Sequence, residues 1–342
     1  MEEAEVSALG LIQPFAGSLR ALRRQHRRLL NGSRYHFGRV LCGVIQRFAQ
    51  RCVPVGVSGS WDVVHCLHAI PSVAQVGGLP RLVTLHDLIP TALPEYCDPG
   101  YVAGWREALL GLDPERDMVA CISEATRQDL TASGLFDSDR IHVVPNGIGS
   151  QFVAREASEV ASVCERYGCV SGQYLLTLAT REPRKNLALS VEVFQELASR
   201  NPALRLVLVG GDNGLGEELS IAEEIRHRVV MTGYLDDQDL PNLLTGCAAF
   251  LFPSWYEGFG LPPLEALACG APVVVSDRGA LPEVVGSFAE AVDPSDVGAW
   301  VVAVERAMCD GARNGGVSHA RSFSWEHSYA KYRDLYRAFL TA

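Results

Sequence analysis

Two glutamates eight positions apart are the residues whose type and spacing most strongly indicate chemistry. Glu257 lies in a glycine-rich loop after a predicted buried strand, and Glu265 lies about one turn inside the predicted helix that follows. Glycines at such a position let the backbone approach a ligand, and free amides at a helix start favour an anion such as a diphosphate. Two carboxylates beside a phosphate would repel it unless hydroxyl groups engage them, and sugar and ribose supply such groups. The segment therefore predicts recognition of a sugar nucleotide.

A cationic loop lies upstream, after the predicted strand at Tyr174–Ala179. It reads T-R-E-P-R-K-N over residues 180–186 and contributes Arg181, Arg184 and Lys185. Cations at the end of a strand can clamp a diphosphate and stabilise the charge that develops on it as a glycosidic bond breaks. These side chains could instead be solvated loop charges, and that alternative is strongest for Arg181.

A histidine and an aspartate end a predicted strand in the first half of the chain. His86 could donate a hydrogen bond to a sugar hydroxyl or position the acceptor, and Asp87 could orient its ring. A structural cap is the alternative for this pair, and the role of Asp87 is left open.

The glutamate segment resembles a known signature. Residues 253–268 read P-S-W-Y-E-G-F-G-L-P-P-L-E-A-L-A, which is similar to the E-x7-E motif of glycosyltransferase family 4, retaining enzymes of the GT-B fold. The resemblance extends from about Asp62 to the C-terminus. It makes the alternative, a solvated Glu265 beside an ordinary Gly-Phe-Gly turn, a poor account of the segment.

The resemblance implies a role for each matching residue. Glu265 is expected to bind the donor ribose and Glu257 the transferred sugar, while Lys185 and an arginine neutralise the diphosphate without a metal ion. The family's H-D-x-x-P segment implies that His86 lines the active site. Backbone amides expected to contact sugar or diphosphate belong to Gly258, Phe259, Gly260 and Leu261.

The E-P-R-K-N form of the cationic loop is similar to that of bacterial mannosyltransferases, which implies GDP-mannose as the donor, with a UDP-sugar as the alternative. Thr180 stands where relatives usually have an arginine, so Arg184 or Arg181 must supply that charge. Residues 9–30 contain no family-type glycine-rich loop. Either the start of the chain is displaced, or the N-terminal domain is truncated and lacks the first strand and its loop; we therefore assign no acceptor-binding residue.

The elements that must position these residues follow an alternating pattern. Short apolar runs and helix-length segments alternate through the second half and, less regularly, through the first, which is typical of parallel sheets covered by helices. The predicted strands are Asp62–Cys66, Arg81–His86, Met118–Ser123, Ile141–Val144, Tyr174–Ala179, Arg205–Val209, Val229–Thr232, Ala248–Phe252 and Pro272–Ser276, and the predicted helices Glu124–Ser133, Leu187–Arg200, Glu217–Arg226, Asp237–Gly246, Pro262–Cys269 and Trp325–Leu340.

This pattern predicts an α/β protein of GT-B type, with two Rossmann-like parallel-sheet domains facing across a cleft. We expect an acceptor-side domain at residues 1–160 and a nucleotide-sugar-binding domain at 161–324. Residues 325–342 form a helix with Tyr329, Tyr332, Tyr336 and Phe339 on one face, which is expected to pack back toward the N-terminal domain.

Composition narrows the classes of molecule that the protein is expected to bind. The 342 residues carry a formal charge of -10, which argues against nucleic acid as the main ligand. No apolar run is long enough to span a bilayer, the N-terminus is acidic, and the ten cysteines include no C-x2-C pair, so a cytoplasmic protein without metal or cofactor is expected. Seven arginines between Arg20 and Arg39 could dock peripherally on anionic lipid or a phosphorylated carrier, or form a solvated helix face.

These observations predict a retaining, metal-independent hexosyltransferase, with mannose as the expected sugar. The donor would be a nucleotide-sugar, and the acceptor a glycan or lipid-linked saccharide in bacterial surface polysaccharide synthesis. Two alternatives stay open: a degenerate homologue that binds a sugar nucleotide as a regulatory subunit, and a nucleotide-sugar epimerase, which would need more acid-base groups near the sugar.

Overall fold

A computed structural model describes residues 40–43, 63–67, 80–134, 136, 138–178, 182–210 and 219–341, with the backbone alone at 40–43, 63, 138 and 339–341. The chain forms two compact units. The first comprises the described residues up to Ile122, together with Thr126–Val144 and the chain from Tyr329 onward. The second comprises Ser123–Ala125 and Pro145–Ser328.

The first unit contains a five-stranded sheet in which every pair of neighbouring strands is parallel. The four strands predicted for this half are present, and a further strand pairs with the first of them at the sheet edge. In chain order, which is also the spatial order, the strands are β1 (Val40–Gly43), β2 (Val63–Cys66), β3 (Arg81–Leu85), β4 (Met118–Cys121) and β5 (Ile141–Val143).

Helices between these strands cover the sheet. Asp98 accepts a hydrogen bond from the Tyr101 amide at 2.9 Å, and Pro99 takes the first helical position, so this local sequence fixes where the helix Pro99–Leu110 begins. Trp105 and Leu109 of that helix pack into the hydrophobic core beside β3 and β4. The helices are α1 (Ile89–Ala92), α2 (Pro99–Leu110) and α3 (Glu124–Ala132).

The second unit contains a six-stranded parallel sheet in the order β11-β10-β9-β6-β7-β8. All five strands predicted for this half are present, and β11 was not predicted. The strands are β6 (Tyr174–Leu178), β7 (Arg205–Val209), β8 (Val229–Gly233), β9 (Ala249–Phe252), β10 (Val273–Ser276) and β11 (Glu290–Val292).

Helices of the second unit surround a core that includes Phe194, Leu206, Leu251 and Trp300. The predicted helix at Glu217–Arg226 is present only at its end among the described residues. The helices are α4 (Ala157–Arg166), α5 (Leu187–Ala198), α6 (Glu223–Arg226), α7 (Leu240–Gly246), α8 (Leu261–Ala268), α9 (Leu281–Val285), α10 (Val297–Asp310) and α11 (Gly316–Ser322).

The last helix, α12 (Trp325–Thr341), begins in the second unit and joins the first unit from Tyr329. Tyr332 and Tyr336, both on the predicted aromatic face, pack against a core cluster of β3 and β4. The Tyr336 hydroxyl lies 2.6 Å from Nδ1 of the buried His65, and the Tyr332 hydroxyl lies 2.9 Å from Thr84 Oγ1. The aromatic spacing therefore reflects packing combined with a buried polar network.

The division between the units differs from the one expected from the sequence. The prediction placed it after residue 160, whereas the contacts place it between Val144 and Pro145. The reason is α4, which packs against α7 and so belongs to the second unit although it precedes β6 in the chain.

A buried ion pair links the start of β3 to the start of β4. Arg81 and Asp117 have side chains 1% and 0% exposed, and Arg81 Nε donates to Asp117 Oδ1 at 2.9 Å. Asp117 also accepts from the Asp113 amide at 2.7 Å, and Arg81 Nη2 donates to the Gly111 carbonyl at 3.0 Å. The pair thus ties the loop before β4 to β3.

Asp117→Ala should lower the free energy of unfolding by about 3–5 kcal/mol, because it leaves a buried guanidinium without its counter-ion. The control is Glu305→Ala, which removes an exposed pair in which Arg200 and Glu305 are 58% and 38% exposed and 2.7 Å apart. The control should cost about 1 kcal/mol or less. Urea denaturation of both variants measures the difference, and equal losses would contradict this prediction.

Candidate active site

The strand order of the second unit places two loops side by side. From β6 the chain proceeds outward to β7 and β8, then returns to the other side of β6 as β9. The carboxyl ends of β6 and β9 therefore flank the point where the direction of winding reverses, which is where open parallel sheets bind ligands. The loop after β6 contains Arg184 and Lys185, and the loop after β9 contains Glu257.

Hydrogen bonds to backbone carbonyls join these two loops. The Trp255 amide donates to the Arg184 carbonyl at 2.9 Å, and Arg184 Nη1 donates to the Tyr256 carbonyl at 2.6 Å. Asn186, the only non-glycine residue with a positive φ (53°) among those described, ends the turn and starts α5. Asparagine tolerates this left-handed conformation better than most residues, which gives the last letter of E-P-R-K-N a structural role.

Two cations converge on one carboxylate oxygen. Lys185 Nζ lies 2.6 Å from Glu257 Oε1, and Arg184 Nη1 lies 3.0 Å from the same atom. The three side chains are 17%, 13% and 13% exposed in the order Lys185, Arg184, Glu257. Lys185 Nζ also lies 5.0 Å from the centre of the Phe252 ring, a favourable position for a cation. We call Arg184, Lys185 and Glu257 the charged triad.

The charged triad keeps Glu257 ionised. Burial acts to raise the pKa of Glu257, but the positive charges of Lys185 and Arg184, with the hydrogen bond from Lys185, outweigh burial and lower the pKa below its ordinary value. Glu257 is therefore a carboxylate throughout the neutral range and can accept hydrogen bonds from hydroxyl groups.

Backbone conformation and packing fix the shape of the glycine-rich loop, in which Gly258, Phe259 and Gly260 are buried. Gly260 has φ 112°, a backbone conformation that residues with a side chain rarely adopt, and a Cβ there would also lie 2.6 Å from Leu281 Cδ2. Phe259 is buried, and its ring meets that of Phe323 edge-on at 5.9 Å. Its side chain therefore packs in the protein, and its backbone amide is the group that can contact a ligand, as for the neighbouring Gly258 and Leu261.

Glu265 is in the opposite electrostatic state to Glu257. It lies in α8, is partly buried, and its carboxyl group forms no hydrogen bond or ion pair with the described residues. Burial raises the pKa of Glu265 to about 8. A solvated helix residue would not show this pKa shift, which argues against the alternative that Glu265 is an ordinary solvated residue of the helix.

His86 lies in the first unit, directly after β3. Its Nε2 donates to the Leu67 carbonyl at 2.9 Å, which leaves Nδ1 as the acceptor in the neutral ring. Asp87 Oδ1 accepts from the Ile89 amide at 3.0 Å, so Asp87 acts as a turn cap where α1 begins. Arg181 and the Arg20–Arg39 segment lie outside the described residues.

Gly279 is a site residue that the sequence analysis missed. It follows β10 and has φ 56°, and a Cβ there would lie 2.5 Å from the Glu257 carbonyl oxygen. The next residue, Ala280, donates its amide to that oxygen at 3.0 Å. The sequence did contain a signal for this residue. Gly279 comes shortly after a predicted buried strand, as the Glu257 loop does, so both were expected at the same edge of the sheet.

Comparison with known proteins decides the family. Residues 14–152 match the sequence model of Glycosyltransferase Family 4, and residues 171–320 match that of Glycosyl transferases group 1. Alpha-maltose-1-phosphate synthase of Mycolicibacterium smegmatis is 30% identical over 76% of this chain and 73% of its own length. The chain belongs to glycosyltransferase family 4.

Other relatives of this family 4 member are mannosyltransferases by name. The O-antigen chain mannosyltransferase B of Escherichia coli is 29% identical over 75% of the chain and 70% of the relative. The serotype-specific mannosyltransferase WbdA of the same organism is 32% identical over 71% of the chain, which spans only 31% of WbdA.

Solved structures show the fold. Sucrose-phosphate synthase of Thermosynechococcus elongatus superposes with a TM-score of 0.71 at 17% identity, covering 99% of this chain and 96% of that one. Anabaena HepE, crystallised with UDP and glucose, gives 0.70 at 16% identity, covering 98% and 100%. The prediction of a GT-B glycosyltransferase is confirmed. Among the residues that the structure describes, no helix combines the length and the apolar character needed to cross a bilayer.

The raised pKa of Glu265 predicts a pH dependence of stability. The folded state holds its proton up to about pH 8, whereas the unfolded chain releases it near 4.5, so the free energy of unfolding falls as the pH rises between these values. Glu265→Gln removes this loss and should leave the Tm near that of wild type at pH 5 but several degrees above it at pH 8. Calorimetry across this range measures the gap, and a gap that stays constant with pH would contradict the prediction.

Proposed function

We propose that this glycosyltransferase transfers mannose from GDP-mannose to a glycan or lipid-linked acceptor, with retention of anomeric configuration and without a metal ion. The observation that supports a charged donor is the charged triad at the switch point of the second sheet. The names of the mannosyltransferase relatives, and the resemblance of the E-P-R-K-N loop to that of bacterial mannosyltransferases, support the sugar. A UDP-sugar is the second candidate donor.

Three parts of the site would each bind a different part of the donor. Lys185 and Arg184, both largely shielded from water, would attract the diphosphate, together with the backbone amides of Gly260 and Leu261 at the start of α8, where no side chain caps the helix. Glu257 would accept hydrogen bonds from hydroxyls of the transferred sugar. Glu265 would accept those of the ribose, the hydroxyl-bearing part of every candidate nucleotide.

In the proposed reaction the bond between the sugar C1 and the diphosphate oxygen breaks, and the acceptor oxygen bonds to C1 on the same face. The proton of the acceptor hydroxyl passes to the departing phosphate oxygen, so no protein side chain is needed as a base. Lys185 and Arg184 stabilise the negative charge that grows on this oxygen, and Glu257 stabilises the positive charge on the sugar. His86, in the first unit, would accept a hydrogen bond from a sugar hydroxyl at Nδ1, since its Nε2 donates to the Leu67 carbonyl.

The proposed identity of the acceptor is supported by the names of the relatives and not by any described residue. O-antigen chains are saccharides, which favours a glycan or lipid-linked saccharide as acceptor. A peripheral contact of Arg20–Arg39 with anionic lipid at the inner face of the membrane would suit such an acceptor. Binding of the full chain to vesicles containing anionic lipid, lost when these arginines become glutamines, would support this contact.

The two alternative functions are not favoured. Family membership and the charged triad support catalysis over a degenerate regulatory role, and the family name itself describes transfer rather than epimerisation. Product analysis separates the three: transfer gives free nucleoside diphosphate and an extended acceptor, an epimerase returns the sugar still attached to its nucleotide, and a regulatory subunit gives neither.

Lys185→Ala and Glu257→Gln should each lower the transfer rate by about 10²–10³-fold, because each removes a preorganised charge at the reacting bond. Lys331→Ala is the matched control, since Lys331 is the only other lysine and its Nζ contacts the Val143 carbonyl in the first unit at 3.2 Å. Nucleoside diphosphate release in the presence of an O-antigen-type acceptor measures the rate. Wild-type rates in both site variants would refute the assignment.

The donor is identified by a thermal-shift screen of GDP-, UDP- and ADP-sugars. GDP-mannose should raise the Tm most, by mass action on the folded state. An equal or larger shift with UDP-glucose would replace GDP-mannose as the proposed donor, and no shift with any nucleotide-sugar would contradict the proposal as a whole.

Nucleotide binding should also release a proton from Glu265. If ribose hydroxyls donate to its carboxylate, binding of GDP at pH 7 should expel about one proton, because the free side chain is mostly neutral there. Calorimetric titration in two buffers of different ionisation enthalpy counts this proton. Glu265→Gln should abolish the release, and unchanged release in this variant would place the ribose elsewhere.

A further inference from the structure

The 276–280 loop, which begins with the last residue of β10, holds the Glu257 loop at two points. Ser276 Oγ donates to the Ser254 carbonyl at 2.6 Å, and both serines are fully buried. The Ala280 amide donates to the Glu257 carbonyl at 3.0 Å. The short segment from Ser254 to Glu257 is thereby held at both ends by a single neighbouring loop.

Gly279 packs directly on the Glu257 backbone. A Cβ at Gly279 would lie 2.5 Å from the Glu257 carbonyl oxygen and 3.0 Å from its nitrogen. Real Cβ atoms do not approach other heavy atoms as closely as 2.5 Å, and a backbone atom cannot rotate away as the tip of a side chain can. Any side chain at Gly279 must therefore displace the backbone of Glu257 or of the 276–280 loop.

The cations of the charged triad are anchored on the opposite side. The Arg184 carbonyl accepts from the Trp255 amide, and Arg184 Nη1 donates to the Tyr256 carbonyl. The Glu257 side chain spans the gap between a backbone that rests on Gly279 and the Lys185 ammonium 2.6 Å from its carboxylate. A shift of that backbone changes the carboxylate's position relative to both cations at once.

We propose that Gly279 is a positioning residue for Glu257: the absence of its side chain sets the position of the Glu257 backbone, and through it that of the carboxylate that receives the transferred sugar. This inference rests on the proposed function of Glu257. A displacement of about 1 Å at a reacting group can cost about 10²-fold in rate. Gly279 thus supports catalysis through the position of Glu257 rather than through a contact with the substrate.

The test compares Gly279→Ala with Gly168→Ala. Gly168 has a similar left-handed backbone (φ 62°), but a Cβ there would meet nothing within 4 Å, so the control shares the conformational cost without the collision. With GDP-mannose, or the nucleotide-sugar that the thermal-shift screen selects, G279A should lower kcat by about 10²-fold with a much smaller change in KM. G168A should stay within about twofold of wild type.

A double-variant cycle separates positioning of Glu257 from general damage. If Gly279 acts through Glu257, adding G279A to E257Q should lower kcat no further than E257Q alone. A full additional 10²-fold loss in the double variant would overturn the inference. A wild-type rate for E257Q would instead refute the proposed function, whereas loss in E257Q with a wild-type rate in G279A would refute the positioning role alone.

A readout without turnover uses the Glu257 carboxyl itself. Its ¹³C resonance, assigned by its disappearance in E257Q, reports the pKa that the two cations lower. In G279A this pKa should rise toward the ordinary glutamate value, and in G168A it should not change. An unchanged pKa in G279A would contradict the inference.

A milder variant covers the case in which G279A does not fold. Ser276→Ala removes only the hydroxyl that bonds to the Ser254 carbonyl. It should lower kcat by roughly tenfold in the wild-type background and not at all in the E257Q background. Equal losses in both backgrounds would again assign a purely structural role to the loop.

Discussion

The site depends on the convergence of two largely shielded cations on one largely shielded carboxylate. Removing these charges from water costs free energy, and their mutual attraction offsets the cost only at short, well-directed distances. The distances from Glu257 Oε1 to Lys185 and Arg184, 2.6 Å and 3.0 Å, meet that condition. They are reached because β6 and β9 are neighbours in the sheet, so the loops that follow them share one edge. A different strand order would separate the same residues.

The two glutamates of the E-x7-E segment show how environment divides chemically identical groups. Cations hold the pKa of Glu257 low, whereas burial without a counter-charge among the described residues raises the pKa of Glu265 to about 8. Near neutral pH one is an anion within a dense charge cluster, and the other is mostly a neutral acid. Each state suits a different part of a sugar nucleotide. The ionised Glu257 can stabilise positive charge that develops on the sugar, whereas the neutral Glu265 can release its proton when ribose hydroxyls donate to its carboxyl group.

The same electrostatic rule governs the first unit, with a structural outcome. Arg81 and Asp117 are buried and satisfied by each other and by neighbouring backbone groups, so their charges fix the approach to β4. His65 is buried too, and hydroxyls of Tyr336 and Thr84 satisfy its two nitrogens. In both cases polar groups accompany the hydrophobic contacts and specify one arrangement of the elements, including the docking of α12.

The sequence by itself determined the class of fold, nearly all the strands, the family and the identity of the residues in the charged triad. These features are local: period and composition mark buried strands, and the spacing of Glu257 and Glu265 follows from a loop leading into a helix. β11 escaped prediction because its three residues, E-A-V, form no apolar run, and β1 because an isolated apolar run does not distinguish strand from helix.

Only the tertiary structure decided which charges meet and what state they adopt. Lys185 and Glu257 are 72 residues apart, and no local pattern encodes a 2.6 Å contact between them. The raised pKa of Glu265 depends on how much water its neighbours exclude, and the packing of Gly279 on the Glu257 backbone depends on a third loop. Burial and distance arise from the whole fold, because electrostatic energies depend on the separation of the charges and the local dielectric rather than on sequence position.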